Sequence, residues 1–361
     1  MKKHLLITVV LLMSFSFAHG QSKYSNEFLS LGIGARGLAM GNTMCAISDD
    51  VTAAYWNPAG LGRMDKKYQL SLMHAEYFAG VAKYDYAGIG YKIDDRSSVA
   101  LSYIRFGVDN IMNTTELIDA QGNVDYDRIS YFSASDNAFL LSYAYNFEKV
   151  PGLSLGANAK IIYRNIGKFA NAWGFGLDFG LQYNHKGWQA GAMLRDGTST
   201  FNAWNYHLTG QVIDIFHQTG NEIPENELEL TLPALMLGAG KYVELGKGFN
   251  ATFALGLDCT FDGKRNTLIK SNVLSMDPHF GMEFAYKKIV ALRAGIGNFQ
   301  QEPDFDGKKK TTLQINLGVG VCIKNIVSID YAFTDLGDIS IAQYSHIISL
   351  KVAIDRFKKQ Q

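Results

Sequence analysis

The chain has 361 residues, with 34 basic and 34 acidic side chains and a formal net charge of zero. That balance excludes the basic block of a nucleic-acid binder and the acidic tail of a solvating arm. Three scattered cysteines, Cys45, Cys259 and Cys322, form neither a disulfide framework nor zinc spacing and read as small buried apolar residues. Glycine (36), phenylalanine (22) and tyrosine (19) are abundant while proline (6) is scarce, and after the N-terminus no run of apolar residues is long enough for a membrane helix. This composition fits a closed β-structure with aromatic belts.

At the start, Lys2 and Lys3 precede an apolar stretch over 5–18 that is too short to span a bilayer, and Ala18-His19-Gly20 suits cleavage. Residues 1–20 therefore read as a signal peptide and the chain as exported. Gln21 rather than Cys follows, which argues against lipoprotein processing.

Residues 25–64 are rich in glycine and show no alternation. Asp49 or Asp50 is expected to cap a short helix over 51–56, which Asn57-Pro58 ends, because the residue before proline is pushed out of the helical region. Gly32, Gly34, Gly37 and Gly41 permit tight turns or close packing.

From residue 68 onward the pattern changes. Segment 173–184 sets Trp173, Phe175, Leu177, Phe179, Leu181 and Tyr183 against Gly174, Gly176, Asp178, Gly180, Gln182 and Asn184. The same alternation runs through 153–163, 249–261 and 313–323. Successive strand side chains face opposite ways, so each segment has one apolar face and one small or polar face. Their length is near the 9–11 residues that cross a bilayer as a tilted strand. Trp173 and Tyr183 bracket their face as interfacial girdles do. Weaker segments at 68–77, 83–93, 98–106, 137–147, 188–195, 230–243, 277–286, 289–299, 326–333 and 346–354 bring the total to about fourteen. The first three have mixed parity, with Lys83 and Asp85 on the face of Ile89.

The connections alternate. Those at 94–96, 148–152, 184–187, 244–248, 287–288 and 324–325 are short. Those at 107–136, 196–229, 262–276, 300–310 and 334–345 are long, with a medium one at 167–172. Short turns at one end and long loops at the other, with an even strand number, predict an all-β membrane protein: an antiparallel transmembrane β-barrel of about fourteen strands over 68–357. Charges on the polar faces must then point inward, among them Lys160, Arg164, Asp178, Asp258, Glu283 and Arg293. They are expected to pair across the lumen or with whatever fills it. Residues 21–67 have one natural place, inside the lumen at the short-turn (periplasmic) end, as a plug in which Arg36 pairs with Asp49 or Asp50.

The loop 196–229 carries Phe201, Trp204, Tyr206 and Phe216, with a short amphipathic helix over 212–218. These aromatics either pack over the barrel mouth or present a surface to a partner or a hydrophobic ligand. No catalytic set, metal ligand set or cofactor site is visible: the histidines are scattered without ligand spacing, and Gly-x-Gly elements follow strand parity. The chain reads as a non-enzyme with outer-membrane lipid as its surroundings and no nucleic-acid partner.

The motif Gly34-Ala35-Arg36-x-x-x-Met40-Gly41, followed by Asp49-Asp50-x-Thr52-Ala53-x-Tyr55-Trp56-Asn57-Pro58-Ala59-Gly60-Leu61, resembles the N-terminal signature of the PorV/PorQ family of Bacteroidetes outer-membrane proteins, relatives of the FadL-type channels. The resemblance implies a fourteen-stranded barrel with an N-terminal hatch. It implies either a subunit or accessory of type IX secretion, binding secretion components or cargo with a C-terminal signal, or passage of hydrophobic molecules such as long-chain fatty acids. Two departures stand out. Gly60 follows Asn-Pro-Ala where many secretion members have lysine. The chain also ends in Gln361 rather than an aromatic, although Ile348, Leu350, Val352, Ile354 and Phe357 retain the character of an assembly signal.

Overall fold

A computed structural model describes residues 25–118, 122–303, 309–336 and 344–355. The expected signal peptide and the C-terminal residues from 356 onward lie outside them. The strands are β1 Tyr68–Tyr77, β2 Ala82–Lys92, β3 Ser97–Asn113, β4 Ser130–Asn146, β5 Leu153–Ile166, β6 Ala170–His185, β7 Trp188–Arg195, β8 Thr200–Tyr206, β9 Leu228–Thr231, β10 Ala234–Gly246, β11 Phe249–Thr260, β12 Ile269–Lys270, β13 Ser275–Tyr286, β14 Val290–Pro303, β15 Lys309–Ile323, β16 Val327–Leu336 and β17 Ser345–Ile354. Fourteen of them form an antiparallel ring: β1 to β7, β10, β11 and β13 to β17, with β17 paired back to β1. Closure removes the exposed hydrogen-bonding edges that an open sheet would leave in lipid.

Alternation decides which face is which. On β6, Trp173, Phe175, Phe179, Leu181 and Tyr183 are exposed on the outside of the ring, whereas Asp178 and Gln182 are buried inside. Tyr163 and Trp173 pack with ring centroids 4.7 Å apart and planes tilted by 46° on the outer wall, near the long-loop end. Tyr68 and Tyr91 pair at 5.2 Å near the short-turn end. These aromatics bound an apolar belt.

Several connections differ from the sequence reading. β3 and β4 extend well beyond the barrel rim, so the 107–136 loop shrinks to 114–129. The expected medium loop at 167–172 is a three-residue turn, and 78–81 is a short turn at the long-loop end. The stretch 196–229 is no irregular loop. It contains β8, the helix Gly210–Thr219 and β9, with β8 continuing the sheet from β6. β-Ladder extension beyond the rim needs no lipid-facing period, so the apolar alternation that marks strand ends in the wall does not mark it there.

Residues 25–64 run along the inward faces of the wall. The helix Ala35–Ala39 lies against β14 to β17, and the 3₁₀ turn Pro58–Arg63 against β3 to β6. The segment reaches both ends of the ring. Asn26 bonds Thr231 and Asn202 at the long-loop end, and Gly62 accepts from Asn146 at the short-turn end. This corrects the expected position at the short-turn end alone. The second helix begins at Ala53 rather than 51, capped at Thr52 without a side-chain bond. Asp50 instead accepts from the Thr52 amide and hydroxyl just ahead of it, while Asp49 faces Arg36.

Candidate functional site: two chambers flanking the N-terminal segment

The N-terminal segment holds itself together before it holds the wall. Tyr55 donates from its hydroxyl to the Leu29 carbonyl at 2.6 Å and accepts the Gly32 amide at 3.0 Å. Trp56 Nε1 donates to Ile33 at 3.2 Å. Met40 is fully buried. A Cβ on Gly60 would sit 2.3 Å from the Ser48 carbonyl, so that position admits no side chain without rearrangement.

Asn57, with Pro58 at the first position of its 3₁₀ turn, then ties the segment to the wall. Its Nδ2 donates to Cys45 within the segment at 2.9 Å and to the Leu181 carbonyl of β6 at 3.0 Å, while Oδ1 accepts from Ala59. Burial, then the nearby Asp258 charge, pushes the Cys45 thiol up to about 12, so it behaves as an inert core residue.

Charge pairs add a second set of ties. Arg36 donates to Asp49 at 2.9 Å and to Glu283 of β13 at 3.0 and 3.1 Å. Glu283 also accepts from Arg293, which reaches on to Asp330 at 2.6 Å. Lys351 of β17 donates to Asp50 at 2.7 Å. Burial alone would lower the Arg36 pKa and raise that of Asp50. The facing charges outweigh it in both cases: Glu283 and Asp49 hold Arg36 well above its ordinary value, and Lys351 and Arg36 hold Asp50 well below its own.

The remaining expected lumen residues sit elsewhere on the inner wall. Lys160 bridges Asp178 at 2.9 Å and Asp196 at 2.5 Å in a site closed to solvent, and Asn158 links Asp178 to the Ala54 carbonyl. Arg164 pairs with Asp136 and Glu229 towards the long-loop end. Asp258 lies 3.4 Å from His279 Nε2, and Asp277 lies 3.7 Å from the same nitrogen.

Two cavities of about 540 Å³ each are left, and they share no lining residue. The inner one opens among the short turns and is lined by Arg36, Asp49, Asp50, Glu283, Arg293 and Lys351. The outer one opens among the long loops and mixes Leu31, Leu38, Tyr77 and Met236 with Arg195 and His279. Asn42 Oδ1 and Thr260 Oγ1 on its wall are buried without a hydrogen-bond partner among the described residues. Between the chambers lies the stretch 37–41. A Cβ on Gly295 of β14 would be 2.2 Å from the Gly41 amide, so the two backbones touch directly there.

The fold resembles that of solved hydrocarbon channels. The similar solved structures include the CymD monoaromatic hydrocarbon channel (TM-score 0.56, 13% identity, 90% of this chain and 98% of that one). Two others are the toluene transporters TodX of Pseudomonas putida (0.57, 12%, 89% and 98%) and TbuX of Ralstonia pickettii (0.53, 13%, 90% and 98%). At this identity the likeness is one of fold. No protein-family model matches the chain, and no curated relative matches it. The comparisons thus support the barrel fold that the sequence resemblance implied and give nothing for PorV/PorQ specifically.

The four loop aromatics do not form one surface. Phe201 is exposed, and Tyr206 and Phe216 are half-buried. Trp204 is buried, as the packing alternative has it: its Nε1 donates to Glu229 at 2.7 Å and Arg164 lies 4.9 Å from its ring. The aromatic signal marked packing between β8 and β6, a contact that sequence alone does not separate from exposure. His279 and the partner carboxylates Asp136, Asp196 and Glu229 were not singled out. Asp136, Asp196 and Glu229 fell in stretches read as loop, where parity gives no signal.

Proposed function

We propose that the protein is an outer-membrane channel for small organic molecules, with residues 25–64 as its plug. The observation that carries this is the pair of chambers opening from opposite ends of one lumen and separated by a layer of the N-terminal segment that includes residues 37–41, with Gly37 lining the inner chamber and Leu38 and Gly41 the outer. Breaking that layer joins them into a passage. The likeness of fold to channels described as carrying monoaromatic hydrocarbons supports the same direction. The outer chamber mixes apolar residues such as Leu31, Leu38 and Met236 with polar ones such as Arg195 and His279, which suits a molecule with an apolar body and one hydrogen-bonding group better than a bare hydrocarbon. Uptake of toluene, benzyl alcohol and a long-chain fatty acid into proteoliposomes tests it. Protein-dependent uptake of any of them, highest for benzyl alcohol, is expected; no uptake above empty liposomes by protein that is folded would reject the reading.

A second reading, a PorV/PorQ-type role in type IX secretion, has one observation in its favour. The long-loop end carries the β8–β9 hairpin and the capped helix Gly210–Thr219, which passage through the lumen does not require. Affinity capture from native membranes tests it, by recovery of secretion components or of cargo bearing the C-terminal signal.

A further inference from the structure

The outer wall is apolar over most of the ring, as at Phe253, Leu255, Phe280, Met282 and Leu292. On β17, β1, β2 and β3 that wall is interrupted in the part nearer the long loops, although Leu350, Leu72, Ile89 and Leu101 keep it apolar lower on the same strands. His346, His74, Glu76, Lys83, Asp85 and Arg105 all stand on the outward face there, the source of the mixed parity in the sequence. They occupy adjoining register positions. His74 is opposite Asp85, which is opposite Arg105; Glu76 is opposite Lys83 on one side and His346 on the other. Side-chain exposures of 55% for His74, 58% for Glu76 and 43% for Lys83 show that nothing among the described residues covers them.

Register places this patch inside the apolar belt. A row of paired residues that leaves β5 at Leu153 passes Tyr183, Ala190 and Phe280 to reach Ile315 on β15. The row through Leu317, two residues nearer the short turns, continues past His346, Glu76 and Lys83 to re-enter β5 at Asn165. Rows therefore climb towards the long-loop end with rising strand number, by about one residue per strand, as barrel shear requires. The row of His74, Asp85 and Arg105 runs on through Asn137 to Tyr163 and Trp173. Since it climbs on the way, His74 lies below the level of that aromatic girdle. It also lies above Tyr68 and Tyr91 on its own strands.

Cations on a lipid face are costly at the midplane, and less so towards the interfaces. The signs identify what covers them. Glu76 and Asp85 stand beside Lys83 and Arg105, with Asp109 3.1 Å from Lys83, so the patch has no net positive field to hold anionic lipid headgroups. It is self-complementary instead. A two-fold axis along the membrane normal, passing between β1 and β2, exchanges those strands. It brings Glu76 against Lys83 and His74 against Asp85, because each acid already faces its opposite across that strand pair.

We propose that the outer face of β17, β1, β2 and β3 is the interface of a homodimer within the membrane, with Glu76 of one copy against Lys83 of the other. The inference needs the wall to face lipid but is independent of what, if anything, passes through the lumen.

The test is cross-linking in intact membranes of a Gram-negative host. Leu72→Cys, in a Cys322→Ser background, places a thiol on the outer face beside the axis. A short bis-maleimide is expected to give a band at twice the chain mass. Phe253→Cys on the far wall serves as the control and is expected to give none. Glu76→Lys should lower the dimer band several-fold, and adding Lys83→Glu should restore it, with folding checked throughout by heat-modifiable mobility. The proposal is overturned if folded Leu72→Cys stays monomeric, cross-links to a different protein, or reacts freely with a lipid-soluble maleimide. It is equally overturned if the double charge swap is no better than the single.

Discussion

Arg36 of the N-terminal segment forms a two-nitrogen hydrogen-bonded pair with Glu283 of β13, Nε at 3.0 Å and Nη2 at 3.1 Å. Such forked pairs fix geometry as well as supplying attraction. Here the fork spans the boundary between a segment without sheet structure and the wall that surrounds it. Because Glu283 also accepts from Arg293, removing it leaves two guanidinium groups short of a partner, whereas removing Arg36 leaves Glu283 still paired with Arg293 and takes a partner only from the part-exposed Asp49. Glu283→Gln should therefore loosen the segment more than Arg36→Ala. Single-channel recording in planar bilayers is the measurement, with more frequent openings in the order Glu283→Gln, Arg36→Ala, wild type. Identical traces for all three would separate this pair from any closing role.

The Asp50–Lys351 pair gives a pH dependence with a definite sign. The folded pKa of Asp50 lies well below its unfolded value of about 4, so its contribution is present above that value and is lost as pH falls through the folded one. Attachment of the segment should weaken on acidification below about pH 4. Asp50→Asn should show the weakened state already at neutral pH and respond less to acid. Limited proteolysis by an acid-active protease, scored at residues 25–64, would reveal it.

Lys160 presents a different case, because its site is closed to water. Its ammonium holds two carboxylates, Asp178 and Asp196, each itself buried, and Asp196 also accepts from Thr200. Breaking a buried pair from one side costs roughly 3–5 kcal/mol, since a charge is left uncompensated. Lys160→Met should therefore lower the unfolding midpoint markedly in urea. Lys160→Met with Asp178→Asn should recover only part of the loss, because Asp196 still lacks its ammonium partner. Arg164→Met, at the wetter end of the same wall, should cost less than Lys160→Met.

How far the sequence carried these conclusions depends on the physics of each region. Within the belt, lipid on one side and the lumen on the other force a period of two, so β5, β11, β15 and the register-defining aromatics of β6 were legible directly. The inward charges followed from the same constraint. Above the rim that constraint vanishes, and β8 was read as loop although Phe201 and Asn202 lie on opposite faces of a strand. The reach of residues 25–64 to Thr231 was not legible, because it rests on hydrogen bonds between residues some 200 positions apart. Lys83 and Asp85 broke parity. In sequence that weakened the strand; in the structure the strand is intact and the break marks a charged outer patch.

The contact between Gly41 and Gly295 gives the most direct test of the layer between the chambers. Gly295→Val would place its Cβ 2.2 Å from the Gly41 amide and 2.3 Å from the Met40 carbonyl carbon, a separation no real contact sustains. Neither neighbour is the free end of a flexible side chain, so backbone must move. β14 is held by ladders to β13 and β15, while the helix Ala35–Ala39 is a single short turn with glycines of positive φ at 34 and 41 on either side. The helix is the weaker side and should yield. The expected result is an intact, heat-modifiable barrel with raised conductance and new protease cleavage near 35–41. Gly210→Ala, where a Cβ meets nothing within 4 Å, should change neither. Loss of the folded barrel in Gly295→Val, with no gain in conductance, would mean that the wall rather than the segment gives way.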